Sequence, residues 1–130
     1  MANYLDTSAL VKLVVAEVET EALRAWLKEV DRDPVSSDLS RTELIRVVRR
    51  TIPDRVLQAR AVLDSITLIE VTTAMFEEAG RLDPTVPRTL DAVHLAAAMS
   101  LGDDIESIVT YDDRLSQAAR ANGISVTAPF

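Results

Sequence analysis

The segment Tyr4-Leu5-Asp6-Thr7-Ser8-Ala9-Leu10 joins the end of an apolar strand, a carboxylate and the beginning of a helix. We predict a short strand over 2–5, after which Thr7 or Ser8 offers a hydroxyl that can cap the next helix. In α/β folds, the carboxyl ends of parallel strands and the N-termini of the connecting helices meet at one edge of the sheet. Asp6 is therefore predicted to lie at the edge where such folds bind ligands.

The same alternation of strand and helix continues along the chain. Further strands are predicted over 35–37, 66–71, 107–110 and 124–126. Helical spacing or capping signals predict helices over 9–15, 23–30, 40–48, 53–63, 72–82, 90–101 and 114–122. A chain of 130 residues suits one core. We expect a single domain over 1–130, with a three-layer α/β/α fold around a mostly parallel sheet of about five short strands.

Composition excludes several classes of protein. Hydrophobic residues make up 48% of the chain and charged residues 27%, as in globular proteins. Without cysteine, neither disulfides nor a thiolate metal site can form, and a reducing cytoplasm is expected. The longest apolar run, 9–18, is interrupted by Lys12 and Glu17, so neither secretion nor a membrane span is expected. The chain also lacks a Gly-rich phosphate loop and a Gly-x-Ser-x-Gly turn.

The net charge of −7 argues against a broad basic surface for nucleic acid. It does not exclude a nuclease, because divalent ions can neutralise clustered acids. One local basic stretch contains Arg41, Arg46, Arg49, Arg50 and Arg55. These arginines either contact nucleic acid or form a solvated helix face paired with Glu43 and Asp54, and the frequency of surface charges favours the second interpretation.

Four acids occupy equivalent places in the predicted elements. Asp6 and Asp112 follow strands, whereas Glu43 and Asp91 lie in the first turns of helices, so all four are expected at the same sheet edge. Grouped carboxylates repel one another unless a cation compensates them, and oxygen ligands suit Mg²⁺ or Mn²⁺. Such an ion can activate a water and stabilise the leaving oxygen of a phosphodiester. The pattern therefore indicates phosphodiester hydrolysis.

Some of these acids also have structural explanations. Ser40-x-x-Glu43 matches a capping box, and either Asp112 or Asp113 could cap the helix near 114, which leaves open which of the two faces the site. His94 lies one helical turn after Asp91. It is expected to be a packed or hydrogen-bonded core histidine and is left outside the site.

Four segments together resemble the motifs of PIN-domain proteins, and of VapC toxins in particular. They are 4–10, Ser40-Arg41-Thr42-Glu43-Leu44, Leu90-Asp91-Ala92-Val93-His94-Leu95-Ala96-Ala97-Ala98 and Val109-Thr110-Tyr111-Asp112-Asp113-Arg114-Leu115. The resemblance implies a Mg²⁺- or Mn²⁺-dependent endoribonuclease, the toxin of a type II toxin–antitoxin pair. It further implies a small VapB-like antitoxin, an RNA substrate, a homodimer and a cytoplasmic location.

Carried onto this sequence, the resemblance makes Asp6, Glu43, Asp91 and Asp112 the catalytic and metal-binding residues. Thr110 and Ser8 resemble the supporting polar groups.

Two other functions remain open from the sequence. An aspartate-based phosphohydrolase would use Asp6 as nucleophile, but that chemistry usually needs a second acid where Ser8 stands. A catalytically silent PIN-like binding module would not need the complete set of acids. The apolar face of 9–15, with Leu23, Trp26 and Leu27, would offer a groove to the antitoxin or a second subunit, or else belong to the core.

Overall fold

A computed structural model describes residues 1–85 and 87–130. Its centre is an all-parallel sheet with the strand order β3-β2-β1-β4-β5. The strands are β1 (Ala2–Leu5), β2 (Pro34–Ser37), β3 (Thr67–Ile69), β4 (Ile105–Val109) and β5 (Val126–Thr127). The predicted fold class, a largely parallel sheet of five short strands covered by helices, is confirmed.

Seven α-helices connect the strands in the described part of the chain. They are α1 (Thr7–Lys12), α2 (Thr20–Leu27), α3 (Leu39–Thr51), α4 (Val56–Asp64), α5 (Thr73–Arg81), α6 (Thr89–Met99) and α7 (Asp113–Ala121). Short 3₁₀ turns at Pro53–Arg55 and Gly102–Asp104 precede α4 and β4. None of the helices in residues 1–85 and 87–130 has the length and apolar character needed to cross a membrane.

The central strands supply core residues to both faces of the sheet. Tyr4 and Ile108 belong to a cluster of buried residues with α6 and α7, whereas Leu5 and Val109 belong to a second cluster with α1, α2, α3 and α4. Successive side chains of a strand point to opposite faces, so a sheet covered on both sides needs consecutive apolar residues. This requirement explains the two apolar residues, Tyr4 and Leu5, that directly precede Asp6.

The register of β1 and β4 aligns the ends of the two strands. Leu5 pairs with Val109, so the next residues, Asp6 and Thr110, leave the sheet at the same level. The backbone N–H of Asp6 donates to the Val109 carbonyl at 3.2 Å. The carboxyl edge of the sheet thus brings residues from opposite ends of the chain together.

Several local predictions differ from the structure. Asp6 itself, rather than Thr7 or Ser8, is the N-cap of α1. The capping box predicted at Ser40 is absent, because α3 already begins at Leu39 and the Ser40 hydroxyl lies 2.7 Å from that of Ser36. Of the strand predicted over 66–71, only Thr67–Ile69 forms β3. The helix predicted over 23–30 ends at Leu27, and Val30 lies beyond it with 85% of its surface exposed. The stretch between the helices predicted over 72–82 and 90–101 includes residue 86, which lies outside the described residues.

The apolar face of α1 and α2 belongs mainly to the core. Leu10, Val14 and Leu23 are almost completely buried. Val11, Leu13, Trp26 and Leu27 are partly buried against the same cluster. Core packing therefore explains this face, and the groove interpretation loses its main support.

Candidate active site

Asp6 is almost completely buried at the end of β1, with 4% of its surface exposed. Its Oδ1 atom accepts hydrogen bonds from the Ser8 hydroxyl at 2.7 Å and from the Ala9 N–H at 3.1 Å. Its Oδ2 atom accepts one from the Thr110 hydroxyl at 2.6 Å. Burial raises the pKa of Asp6 above its ordinary value, and the hydroxyls of Thr110 and Ser8 offset only part of that rise. The fold thus holds this carboxylate firmly, but no lysine or arginine in residues 1–85 and 87–130 forms a salt bridge with it.

Ser8 and Thr110 connect the ends of β1 and β4 around Asp6. Their hydroxyl oxygens lie 3.3 Å apart, and the Ser8 hydroxyl accepts the N–H of Tyr111 at 2.9 Å. The Thr110 hydroxyl accepts the N–H of Asp112 at 3.1 Å. These residues occupy the supporting positions that the resemblance implied, and they connect Asp6 to the backbone of Asp112.

Glu43 lies in the second turn of α3, and its side chain turns toward α1 and α6 rather than toward its own helix N-terminus. Its Oε1 atom accepts a hydrogen bond from the Thr7 hydroxyl at 2.6 Å and lies 2.6 Å from Nε2 of His94. Burial by itself would raise the pKa of Glu43, but the contacts with His94 and Thr7 outweigh it and lower that pKa. The structural explanation of Glu43 as a capping residue is therefore wrong.

His94 is a buried, hydrogen-bonded histidine, as the sequence led us to expect, but it contacts one of the four acids. Its Nδ1 atom lies 2.8 Å from the Tyr4 hydroxyl, which in turn donates to the Ser37 hydroxyl at 2.8 Å. An ionised Glu43 only accepts hydrogen bonds, so Nε2 carries the proton in their contact. This network from Ser37 to Glu43 was not predicted. The signal available in the sequence was the spacing of one helical turn between Asp91 and His94.

Asp91 lies in the first turn of α6 and is close enough to Asp112 to feel its charge. Its Oδ2 atom accepts the N–H of Arg88 at 3.2 Å, which fixes the carboxylate at the helix N-terminus. Burial raises the pKa of Asp91, and the negative charge of Asp112 raises it further. These two acids, far apart in sequence, therefore share one electrostatic environment.

Asp112 is the N-cap of α7, so its predicted structural role is real. Its Oδ1 atom accepts the N–H groups of Arg114 at 2.8 Å and of Leu115 at 3.0 Å. The neighbouring Asp113 is exposed and lines a separate hollow of about 390 Å³ with Tyr111 and Arg120. Of the two aspartates, Asp112 is the one whose charge acts on Asp91.

The chemistry of these oxygens suits a hard divalent cation. Glu43 Oε2, Asp91 Oδ1 and Asp112 Oδ2 make no hydrogen bond within the described residues, although every buried side-chain polar atom there has a partner. Yet no group of three or more Asp, Glu or His side chains in residues 1–85 and 87–130 is arranged so that it could enclose an ion. Mg²⁺ usually keeps several waters and binds through one or two carboxylates, so an open set of acids is compatible with it.

A larger hollow lies away from this group. It measures about 600 Å³ between α5 and the start of α6, and its lining includes Phe76, Pro84, Pro87 and Arg88 but none of the four acids. Shape alone would favour this hollow as a ligand site. We place the candidate site at the carboxylates, because only they offer the groups needed for phosphodiester hydrolysis.

Comparison with known proteins agrees with this architecture. The family model of the PIN domain matches residues 4–121. Ribonuclease VapC46 of Mycobacterium tuberculosis is 43% identical over 129 residues, which cover 98% of each chain. Ribonuclease VapC47 of the same species is 39% identical over 130 residues, covering 97% of this chain and 96% of the relative.

Solved structures share the fold at lower sequence identity. The crystal structure of Mycobacterium tuberculosis VapC20, described as a Sarcin-Ricin loop cleaving toxin, has a TM-score of 0.78 at 20% identity and covers 98% of this chain and 99% of its own. VapBC2 from Rickettsia felis, bound to a promoter DNA fragment, gives 0.74 at 14% identity and covers all of both chains. Ribonucleases VapC46 and VapC47 are 43% and 39% identical to this chain over nearly its whole length. Together with the match to the PIN-domain model, this similarity shows that the chain belongs to the PIN domain family, within its VapC group.

Proposed function

We propose that this protein is a Mg²⁺- or Mn²⁺-dependent endoribonuclease that hydrolyses RNA phosphodiesters at Asp6, Glu43, Asp91 and Asp112. The observation that supports the proposal is electrostatic: His94 acts on Asp6, Glu43 and Asp91, and the charge of Asp112 acts on Asp91, although the four acids come from separate parts of the chain. Membership of the VapC group, whose curated relatives are named ribonucleases, supports RNA as the substrate.

In this proposal the four acids hold the metal, either directly or through its waters, and the bound metal would supply an activated water and neutralise charge on the phosphodiester. The surrounding residues set the positions of the acids. Thr110 and Ser8 orient Asp6, while Thr7 and His94 hold Oε1 of Glu43 and leave Oε2 free for a ligand. The N–H groups at the start of α7 orient Asp112. Such fixed outer contacts are typical of metal sites in which ligand orientation matters.

The proposal extends to partners and cellular role. A small VapB-like antitoxin in a type II toxin–antitoxin pair, a homodimer and a cytoplasmic location are what the VapC group implies. A structural neighbour described as a toxin–antitoxin complex from Klebsiella pneumoniae, with a TM-score of 0.74, supports an antitoxin partner.

The phosphohydrolase alternative gains no support from the site. Ser8, in the position where a second acid would be needed, donates to Asp6. Nor does any observation favour the silent binding module.

The proposal is tested by incubating the purified protein with cellular RNA. We expect cleavage with Mg²⁺ or Mn²⁺ and none in EDTA. Asp6→Asn and Asp91→Asn should each reduce the rate by at least about 100-fold, since the metal supplies several kcal/mol of transition-state stabilisation. Asp113→Asn is the matched control, because it removes the same charge one residue from Asp112 and should leave cleavage intact. Cleavage that survives EDTA would refute the proposal.

A further inference from the structure

A stripe of positive charge begins beside the proposed catalytic Glu43. Arg46 and Arg50 follow Glu43 by three and seven residues on α3, so all three lie on one side of the helix. With a rise of about 1.5 Å per residue, the two arginines lie roughly 4.5 and 10.5 Å further along the helix axis. We call this pair, Arg46 and Arg50, the α3 stripe.

The opposite side of α3 faces the core. Ser40, Leu44 and Val48 are completely buried, whereas Arg46 and Arg50 are exposed. Arg49 is also exposed but lies about 120° around the axis from Glu43. The α3 stripe therefore borders the site on the solvent side of the helix.

The charges of the α3 stripe are not neutralised by neighbouring acids. Within residues 1–85 and 87–130, neither Arg46 nor Arg50 forms a salt bridge or a side-chain hydrogen bond. Glu43, which the sequence interpretation paired with the arginines, instead contacts Thr7 and His94. That pairing is therefore wrong.

Two of the other three arginines of the basic stretch, Arg41 and Arg55, make contacts within the protein. Arg41 pairs with Asp38 at 2.9 Å, and Arg55 donates to the Val14 carbonyl at 3.1 Å. The chain as a whole has a net charge of −7. Arg46 and Arg50 therefore form a local patch of positive charge on the side of α3 that carries Glu43. Arginine suits phosphate because its planar guanidinium presents two parallel donors.

We propose that the α3 stripe binds the phosphate backbone of the RNA strand as it leaves the site at Glu43. This inference rests on the proposed function, because it takes the scissile phosphodiester to lie at the four acids. The position of Arg46 and Arg50 next to Glu43 favours RNA over an acidic protein as their partner. If RNA is cut at the four acids, the phosphates next to the cut must lie against one of the surfaces that border Glu43. Contacts of this kind contribute affinity without base specificity.

The test measures binding of a short single-stranded RNA in EDTA at several salt concentrations. Each phosphate contact contributes about −0.7 to the slope of log affinity against log salt for single strands, so Arg46→Gln/Arg50→Gln should make that slope less negative by about 1.4. In cleavage assays with Mg²⁺, KM should rise while kcat stays nearly unchanged. Arg60→Gln/Arg120→Gln, which removes two exposed arginines from α4 and α7, is the control of equal charge and should retain the wild-type slope.

Each other outcome overturns the inference. A wild-type slope in Arg46→Gln/Arg50→Gln, or an equal change in the control pair, would mean that these arginines make no specific phosphate contact. Absence of RNA binding by the wild-type protein would have the same meaning. A defect confined to a complex with another protein would identify a protein-docking surface instead. The proposed function is tested separately: it fails if the wild-type protein does not cleave RNA in Mg²⁺.

Discussion

Asp6 illustrates how a residue of the proposed site can lower the stability of the fold. Its carboxylate is almost completely buried, and its hydrogen-bond donors are neutral hydroxyls and one N–H group. The pKa of Asp6 is raised chiefly by burial, so the folded protein binds a proton here more tightly than the unfolded chain does. Stability contributed by this group is complete below the ordinary pKa of 3.8 and is lost as the pH rises through the folded value.

We therefore expect Asp6→Asn to increase the free energy of unfolding at pH 7 in the absence of metal. The gain should shrink as the pH falls toward 3.8, because the wild-type carboxyl then becomes neutral as well. Urea unfolding of both proteins across this pH range measures the difference. Asp113→Asn, at an exposed position, should show no comparable gain. A variant less stable than the wild type at pH 7 would contradict this explanation.

Thr7 provides a second test at the scale of one residue, since its hydroxyl orients Glu43 from a different helix. Thr7→Val keeps the shape and removes the donor, and we expect Mn²⁺ affinity to fall by about 10-fold, as is typical when an outer contact of a metal ligand is lost. Isothermal calorimetry measures this affinity without requiring catalysis. Thr42→Val, at the exposed position preceding Glu43, is the matched control. Equal affinities in the two variants would show that Thr7 does not orient the ligand.

At the scale of secondary structure, the ends of the helices explain where the sequence predicted correctly and where it did not. Thr72, the first residue of the helix predicted over 72–82, caps α5, and its hydroxyl accepts the N–H of Met75 at 3.2 Å. Gly123, directly after the helix predicted over 114–122, has a φ of 76°. Such signals are local. The Ser40 capping box failed because burial of Ser40 against Ser36 depends on how β2 packs on α3, which no local pattern contains.

Two glycines allow a matched test of helix endings. Gly80 lies inside α5 with open space around its Cα, so Gly80→Ala should stabilise the protein by about 0.5–1 kcal/mol. Gly123 has open space too, but its φ of 76° penalises any Cβ, so Gly123→Ala should destabilise by about 1–2 kcal/mol. Thermal unfolding of both variants measures these effects. Changes of the same sign would show that backbone conformation does not control the end of α7.

For the whole molecule, the parallel sheet could be predicted from the sequence because short predicted strands alternate with predicted helices along the chain. The position of each acid at the ends of these elements could be predicted for the same reason. The contacts of Glu43 with Thr7 and His94 could not, since three different helices supply them. Pairing across such distances depends on how the layers pack, whereas spacing along the chain reveals only which residues share an element.

Metal binding should also be visible in the stability of the whole protein. If Mg²⁺ binds the folded state alone, a concentration 100 times Kd should add about 2.7 kcal/mol to the free energy of unfolding. We expect a corresponding rise in Tm for the wild-type protein, and none for Asp91→Asn. KCl at matched ionic strength controls for general screening. A wild-type Tm that is unchanged by Mg²⁺ would argue against a metal site in the folded protein.

The hydrogen bond between Thr110 and Asp6 spans 104 positions of the chain. During translation at about 5–20 residues per second, roughly 5–20 s separate the synthesis of these two residues. The strand that completes the surroundings of Asp6 is thus made long after Asp6 itself. A nascent chain of this protein therefore lacks both Thr110, which donates to Asp6, and the fourth acid of the proposed site, Asp112, until synthesis has passed these positions.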